Sequence, residues 1–69
     1  MIESKDVGHR VVVRRVVGER NGRPVFSDVL GELIEFGDAE VTVAGKDGPV
    51  RVPRAAIVLS KRIPPRPQR

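Results

Sequence analysis

Apolar and polar positions alternate in short runs along this chain, and clusters of turn-forming residues separate the runs. β-branched residues dominate segment 9–17, and apolar runs return over 29–36 and 40–44. Such runs are typical of β-strands. Two shorter apolar runs, at 50–52 and from Ile57 onwards, complete the pattern. The chain is therefore predicted to form five strands, with no helix of consequence. Their shared core is predicted to contain Leu33, Val41, Val43, Val52 and Ile57.

The segments between the runs predict how the strands connect. Segment 18–24 is polar with Asn-Gly at its centre and is predicted to be a long loop, whereas Asp47-Gly48 indicates a tight hairpin. Pro53 begins a stretch of four residues that has room for about one turn of 3₁₀ helix before the last strand. A strand, a 3₁₀ turn and a final strand are how SH3-like barrels end. The predicted fold is all-β, a small five-stranded SH3-like barrel with a 3₁₀ turn before the last strand.

Two positions predict local departures from regular strands. Arg14 and Arg15 are adjacent, and a regular pleat cannot turn both towards solvent, which indicates a bulge or bend. Gly31 lies inside an apolar run, where glycine indicates a bend or the close approach of another backbone.

The chain has 69 residues, enough for one domain that buries roughly 60% of its unfolded surface. We expect a disordered N-terminus over 1–6, a barrel over 7–62, and a Pro/Arg-rich tail or linker over 63–69. The absence of cysteine and the single histidine exclude disulfides, thiolate metal sites and histidine-based metal clusters. No apolar run approaches the roughly 20 residues that span a bilayer, so a cytoplasmic location is expected.

The net charge of +4 is unevenly placed along the chain. Residues 1–59 contain nine basic and nine acidic side chains, so the excess of positive charge lies in residues 60–69. Residues 1–25 contain six basic side chains and only three acidic ones. Arginine suits protein interfaces better than lysine. The candidate interaction surface is therefore the basic first strand and loop with its neighbouring aromatic residue, namely Arg14, Arg15, Arg20, Arg23 and Phe26.

Chemistry-bearing motifs are scarce. The sequence of segment 15–20 partly matches the pyrophosphate-binding loop of acetyl-CoA enzymes, but it ends in arginine where a small residue is needed. No cofactor is therefore predicted. No catalytic residue is predicted either. Two phenylalanines are the only aromatic residues, too few for the aromatic floor of a peptide-binding SH3 domain or a methyl-lysine cage.

Three blocks resemble the N-terminal SH3-like domain of an actinobacterial GNAT-type acetyltransferase family. They are segments 7–14 (VGHRVVVR), 28–33 (DVLGEL) and 50–58 (VRVPRAAIV), followed by Ile63-Pro64-Pro65. In that family the domain precedes a catalytic domain. The resemblance implies a non-catalytic accessory domain that packs against or positions an acetyltransferase domain in the same chain.

Two other functions fit the same fold. A KOW- or Tudor-like barrel that binds nucleic acid would use the basic N-terminal half for phosphate contacts. A structural oligomerisation module would bind a second copy instead.

Overall fold

The computed structural model describes residues 1–65 and forms one five-stranded antiparallel sheet that curls into a small barrel. The strands are β1 (Arg10–Arg20), β2 (Arg23–Phe36), β3 (Glu40–Gly45), β4 (Gly48–Pro53) and β5 (Ile57–Arg62). Their order in the sheet is β4-β3-β2-β1-β5. A 3₁₀ turn, Arg54–Ala56, directly precedes β5. This confirms the predicted SH3-like class and its 3₁₀ turn.

The first hairpin is much longer than the sequence predicts. Segment 18–24 was expected to be a loop, but Arg20 and Arg23 are already paired, and the turn contains only Asn21 and Gly22. Their φ angles are 52° and 76°, as a type I′ turn requires, and this turn matches the twist of the flanking strands. The ladder therefore continues to the tip of the hairpin, and the long-loop prediction is wrong.

The ladder is irregular at two points along β1. Arg14 pairs with Leu59 and Arg15 with Ile57, so Val58 is left over in β5. The irregularity falls beside the two arginines, as predicted, but the extra residue is in β5; Arg14 and Arg15 keep regular register with β2 and point to opposite faces. A second shift separates Val16 from Gly18 in the pairing with β2.

The core lies between the two curved halves of the sheet. Leu33 and the valines at 41, 43 and 52 are fully buried, as predicted. Ile57 is only half-buried and packs at the margin, because it lies beside the β5 irregularity. The buried apolar residues are Ile2, Val11, Val13, Val29, Leu33, Val41, Val43 and Val52.

Gly31 marks a close backbone approach between β2 and β3. A Cβ atom at this position would overlap the Ala44 carbonyl group of β3. Only glycine fits where β2 bends between its pairings with β1 and β3, which confirms the predicted close approach.

The N-terminus is ordered, contrary to the disorder expected for residues 1–6. Ile2 enters the core, and its amide donates to Ser60 Oγ at 3.0 Å. A 3₁₀ turn, Ser4–Asp6, follows and places the buried Asp6 beside Arg62, with 2.7 Å between Arg62 Nη2 and Asp6 Oδ1. Residues 1–6, which we call the N-terminal strap, are ordered for two reasons. Ile2 fills one end of the barrel with an apolar side chain, and Asp6 and Arg62 neutralise each other.

The chain leaves β5 beside the start of β1. The Ile63 amide donates to the Arg10 carbonyl at 2.9 Å. The predicted tail over 63–69 lies only in part within the described residues, since 66–69 are outside them.

Leu33→Ala should cost about 2–4 kcal/mol of unfolding free energy, because it leaves a cavity in a small core. Leu30→Ala is the matched control on the same strand. Leu30 is 47% exposed, so its truncation should cost less than about 1 kcal/mol. Urea melts of both variants measure the difference. Equal losses would show that β2 is assigned to the wrong face.

Gly31→Ala should destabilise the barrel by about 1–3 kcal/mol or more, because the added methyl group meets rigid backbone. Gly18→Ala adds the same methyl group where no atom lies within 4 Å, and it should be nearly neutral. Thermal melts that rank the two variants in the opposite order would contradict the close approach.

Acid should weaken the N-terminal strap. The Glu3 amide and the Arg62 guanidinium both donate to Asp6 and lower the pKa of its carboxyl group. Because the folded pKa is below that of the unfolded chain, the stabilisation is present above about pH 4 and is lost as the pH falls through the folded pKa. The melting-temperature gap between the parent and Asp6→Asn should therefore shrink from pH 6 to pH 3. The same comparison with Asp38→Asn, at an exposed carboxyl group, is the control; a gap at Asp6 that does not change with pH would refute the prediction.

Candidate interaction surfaces on the first hairpin

The register of β1 against β2 divides the predicted surface between two faces of the first hairpin. Directly opposed residues point to the same face, and successive residues point to opposite faces. Arg14 opposes Asp28, one position from the buried Val13–Val29 pair, and therefore faces outwards. Arg15 opposes Ser27 and faces the interior side.

The other three candidate residues follow the same rule. Phe26 opposes Val16 on the outer face, whereas Arg20 opposes Arg23 on the extension of the interior side. The five candidates therefore do not form one surface. Arg15, Arg20 and Arg23 share one face, and Arg14 and Phe26 share the other.

The outer side of β5, β1 and β2 carries what we call the outer apolar face. Leu59 opposes Arg14 across the β1–β5 pairing, and Leu30 opposes Val12 across the β1–β2 pairing. Phe26 is 48% exposed and Leu30 is 47% exposed. The face consists of Val12, Val16, Phe26, Leu30 and Leu59.

An ion pair lies in the middle of this outer apolar face. The Arg14 guanidinium donates twice to Asp28, from Nε to Oδ1 at 2.9 Å and from Nη2 to Oδ2 at 3.2 Å. These hydrogen bonds lower the pKa of the Asp28 carboxyl group and raise that of Arg14. The pair is bidentate and internally neutral, so a partner that covers it would leave neither charge unmatched.

The interior side of the hairpin carries what we call the inner basic face, formed by Arg15, Arg20 and Arg23. Arg15 is half-buried at the barrel mouth, and its Nε atom is buried without a hydrogen-bond partner. Arg20 and Arg23 are exposed and directly opposed beside the turn. Opposed like charges are unfavourable in an antiparallel ladder. The hairpin tip therefore holds positive charge that its own strands do not offset.

The other basic side chains of β4, β5 and the 3₁₀ turn are differently placed. Arg62 binds Asp6, and Arg51 Nε lies 3.9 Å from Glu40. The Arg54 guanidinium stacks over Phe36 at 4.7 Å and donates to the carbonyl groups of Gly37 and Asp38. In the described part of the chain, the arginines that make no ion pair are Arg10, Arg15, Arg20, Arg23 and Arg54. Arg54 contacts carbonyl oxygens and an aromatic ring instead.

A groove of about 420 Å³ lies at the barrel end that the N-terminal strap closes. Ile2, Phe36, Val41 and Ile57 form its apolar wall, and Arg54 lies at its rim. This lining offers contact area but no nucleophile and base in hydrogen-bonding distance. Within residues 1–65, no three side chains of the metal-binding types are gathered in one place.

Comparison with known proteins identifies no relative: no protein-family model, curated protein or solved structure matches this chain. The described residues contain no helix with the length and apolar character needed to cross a bilayer.

Sequence reasoning missed the outer apolar face, although a signal for it was present. Segment 11–13 is a continuous run of valines, and a continuous apolar run is typical of a strand that is covered on both sides. In the barrel only the Val11 and Val13 side is covered by the core, whereas Val12 lies on the outer side. The valine run therefore indicates that a second surface, outside the barrel, covers the outer side of β1.

Proposed function

We propose that this chain is a non-catalytic SH3-like accessory domain that packs through its outer apolar face against a GNAT-type acetyltransferase domain in the same polypeptide. The observation that carries the proposal is the outer apolar face itself. Valine, leucine and phenylalanine side chains there lie on three neighbouring strands around one ion pair and are partly exposed. Exposed apolar patches of this kind mark interaction sites.

The chemistry of this face favours a protein partner. Apolar side chains would form the desolvated centre of an interface, and Phe26 provides the aromatic anchor that such centres favour. The Arg14–Asp28 pair is already matched within the barrel, so burying it does not strand a lone charge. A polyanion would gain little from a face whose central pair of charges is neutral and whose neighbouring cation, Lys61 opposite Val12, lies on the edge strand β5.

The identity of the partner rests on the family resemblance of segments 7–14, 28–33 and 50–58. The path of the chain agrees with a partner that follows in sequence. Ile63 is still tied to Arg10, so the chain departs beside β1, at the border of the outer apolar face. A domain joined there needs only a short linker to reach this face.

Backbone amide chemical shifts should identify the contact. In a polypeptide that carries the proposed acetyltransferase domain after Arg69, the amides of β1, β2 and β5 around the outer apolar face should shift relative to the isolated barrel. Phe26→Glu with Leu30→Glu should leave the barrel folded and remove these shifts, because it places charge in an apolar interface. Ile34→Glu is the matched control, since Ile34 is 45% exposed on β2 but lies at the irregularity facing β3.

Shifts confined to residues after Arg62 would show that the domain is merely tethered and would overturn the proposal, as would a reading frame that stops at Arg69. Sedimentation of the isolated barrel tests the alternative occupant. A dimer abolished by the double variant would assign the face to a second copy of this chain.

A further inference from the structure

The inner basic face has a geometry that the outer apolar face does not explain. Arg23 and Ser27 are four residues apart on β2, and Ser27 opposes Arg15. At about 3.3 Å per residue, the backbone positions of Arg23 at the tip and of Arg15 lie roughly 13 Å apart along the hairpin. Their row lies on one side of a two-stranded ribbon that contains no acidic residue on that side between them.

The residues between these arginines leave the row accessible. Gly18 opposes Val25, and open space surrounds the glycine. Glu19 opposes Pro24 and so lies on the other side of the ribbon. A ligand that follows the hairpin from its tip to the barrel mouth meets positive charge without an intervening carboxylate.

We propose that the inner basic face binds the phosphate backbone of double-stranded nucleic acid, without base specificity. A two-stranded β-ribbon fits the major groove of B-form DNA, whereas on an RNA duplex it could contact only the phosphates and the shallow minor groove. Guanidinium groups bind phosphate oxygens through paired hydrogen bonds, and a duplex presents phosphates at short, regular intervals along its length. The contact depends mainly on charge and spacing, because guanidinium groups bind phosphate oxygens whatever the base sequence, and the one amide side chain beside them, Asn21, lies in the turn at the tip.

Two observations favour a duplex over the other polyanions. Single strands are held by bases stacked on aromatic rings, and Phe26 lies on the opposite face of the ribbon. An acidic protein would need an apolar centre to its interface, whereas this face offers only the half-buried Val25 among its arginines. The site is independent of the proposed acetyltransferase contact, because the two use opposite faces of the hairpin.

Fluorescence anisotropy of the whole chain with a labelled 20-base-pair duplex tests the proposal. Arg20→Gln with Arg23→Gln should weaken binding at least about tenfold at 50 mM salt and should reduce the slope of log K against log salt by about 2. Lys5→Gln with Arg51→Gln removes the same charge from exposed sites elsewhere and should leave the slope within about 0.5 of the parent. The basic tail is unchanged in both variants.

Several results decide between the possible ligands. The single variants Arg20→Gln and Arg23→Gln should each give about half of the slope change, with melting temperatures at or above the parent value, because each relieves a like-charge pair. Duplex DNA and duplex RNA arms identify the source of the backbone. Equal losses in the two double variants, tighter binding of a single strand, or equally tight binding of polyglutamate would overturn the proposal, as would no binding at 20 mM salt.

Discussion

The Asn21-Gly22 turn sets the register of β1 against β2, and this register decides which side chains fill the barrel. β1 pairs with β2 on one side and with β5 on the other. A slip of one residue would exchange the faces of the hairpin. Val11 and Val13 would then leave the core, and Arg14 would enter it. The core and both candidate surfaces therefore depend on one two-residue turn.

The same register gives the first hairpin two faces with different chemistry. On the outer face, apolar side chains surround an ion pair that neutralises itself, which suits a contact that excludes water. On the inner face, Arg20 and Arg23 are exposed and directly opposed like charges, which suits a contact that releases counterions. The two proposed contacts use opposite sides of the hairpin, so neither would obstruct the other.

Much of the fold could be predicted from local pattern. Alternation placed Val41 and Val43 in the core, and Gly31 marked a close backbone approach. The Arg14-Arg15 pair marked the position of an irregularity but not the strand, since the extra residue is in β5. These features depend on a few neighbouring residues. The strap was missed because Ile2 and Asp6 are held by Ser60 and Arg62, more than fifty positions away. No local pattern contains such a contact.

The candidate site was only partly predictable for a related reason. Segment 10–23 is visibly basic, but charge density along the chain does not tell which face each arginine occupies. That assignment needed the extra residue between Val16 and Gly18, which changes the phase of the strand before Arg20. Without the shift, Arg15 and Arg20 would fall on opposite sides.

The strap joins the beginning and the end of the barrel. Ile2 is fastened to Ser60 and Asp6 to Arg62, so the chain enters and leaves the domain at one place. A unit with adjacent termini can be placed within a surface loop of a host protein, because the two ends of the loop need not separate to admit it. The geometry of the barrel therefore suits insertion into a loop of another protein as well as fusion to one end of it.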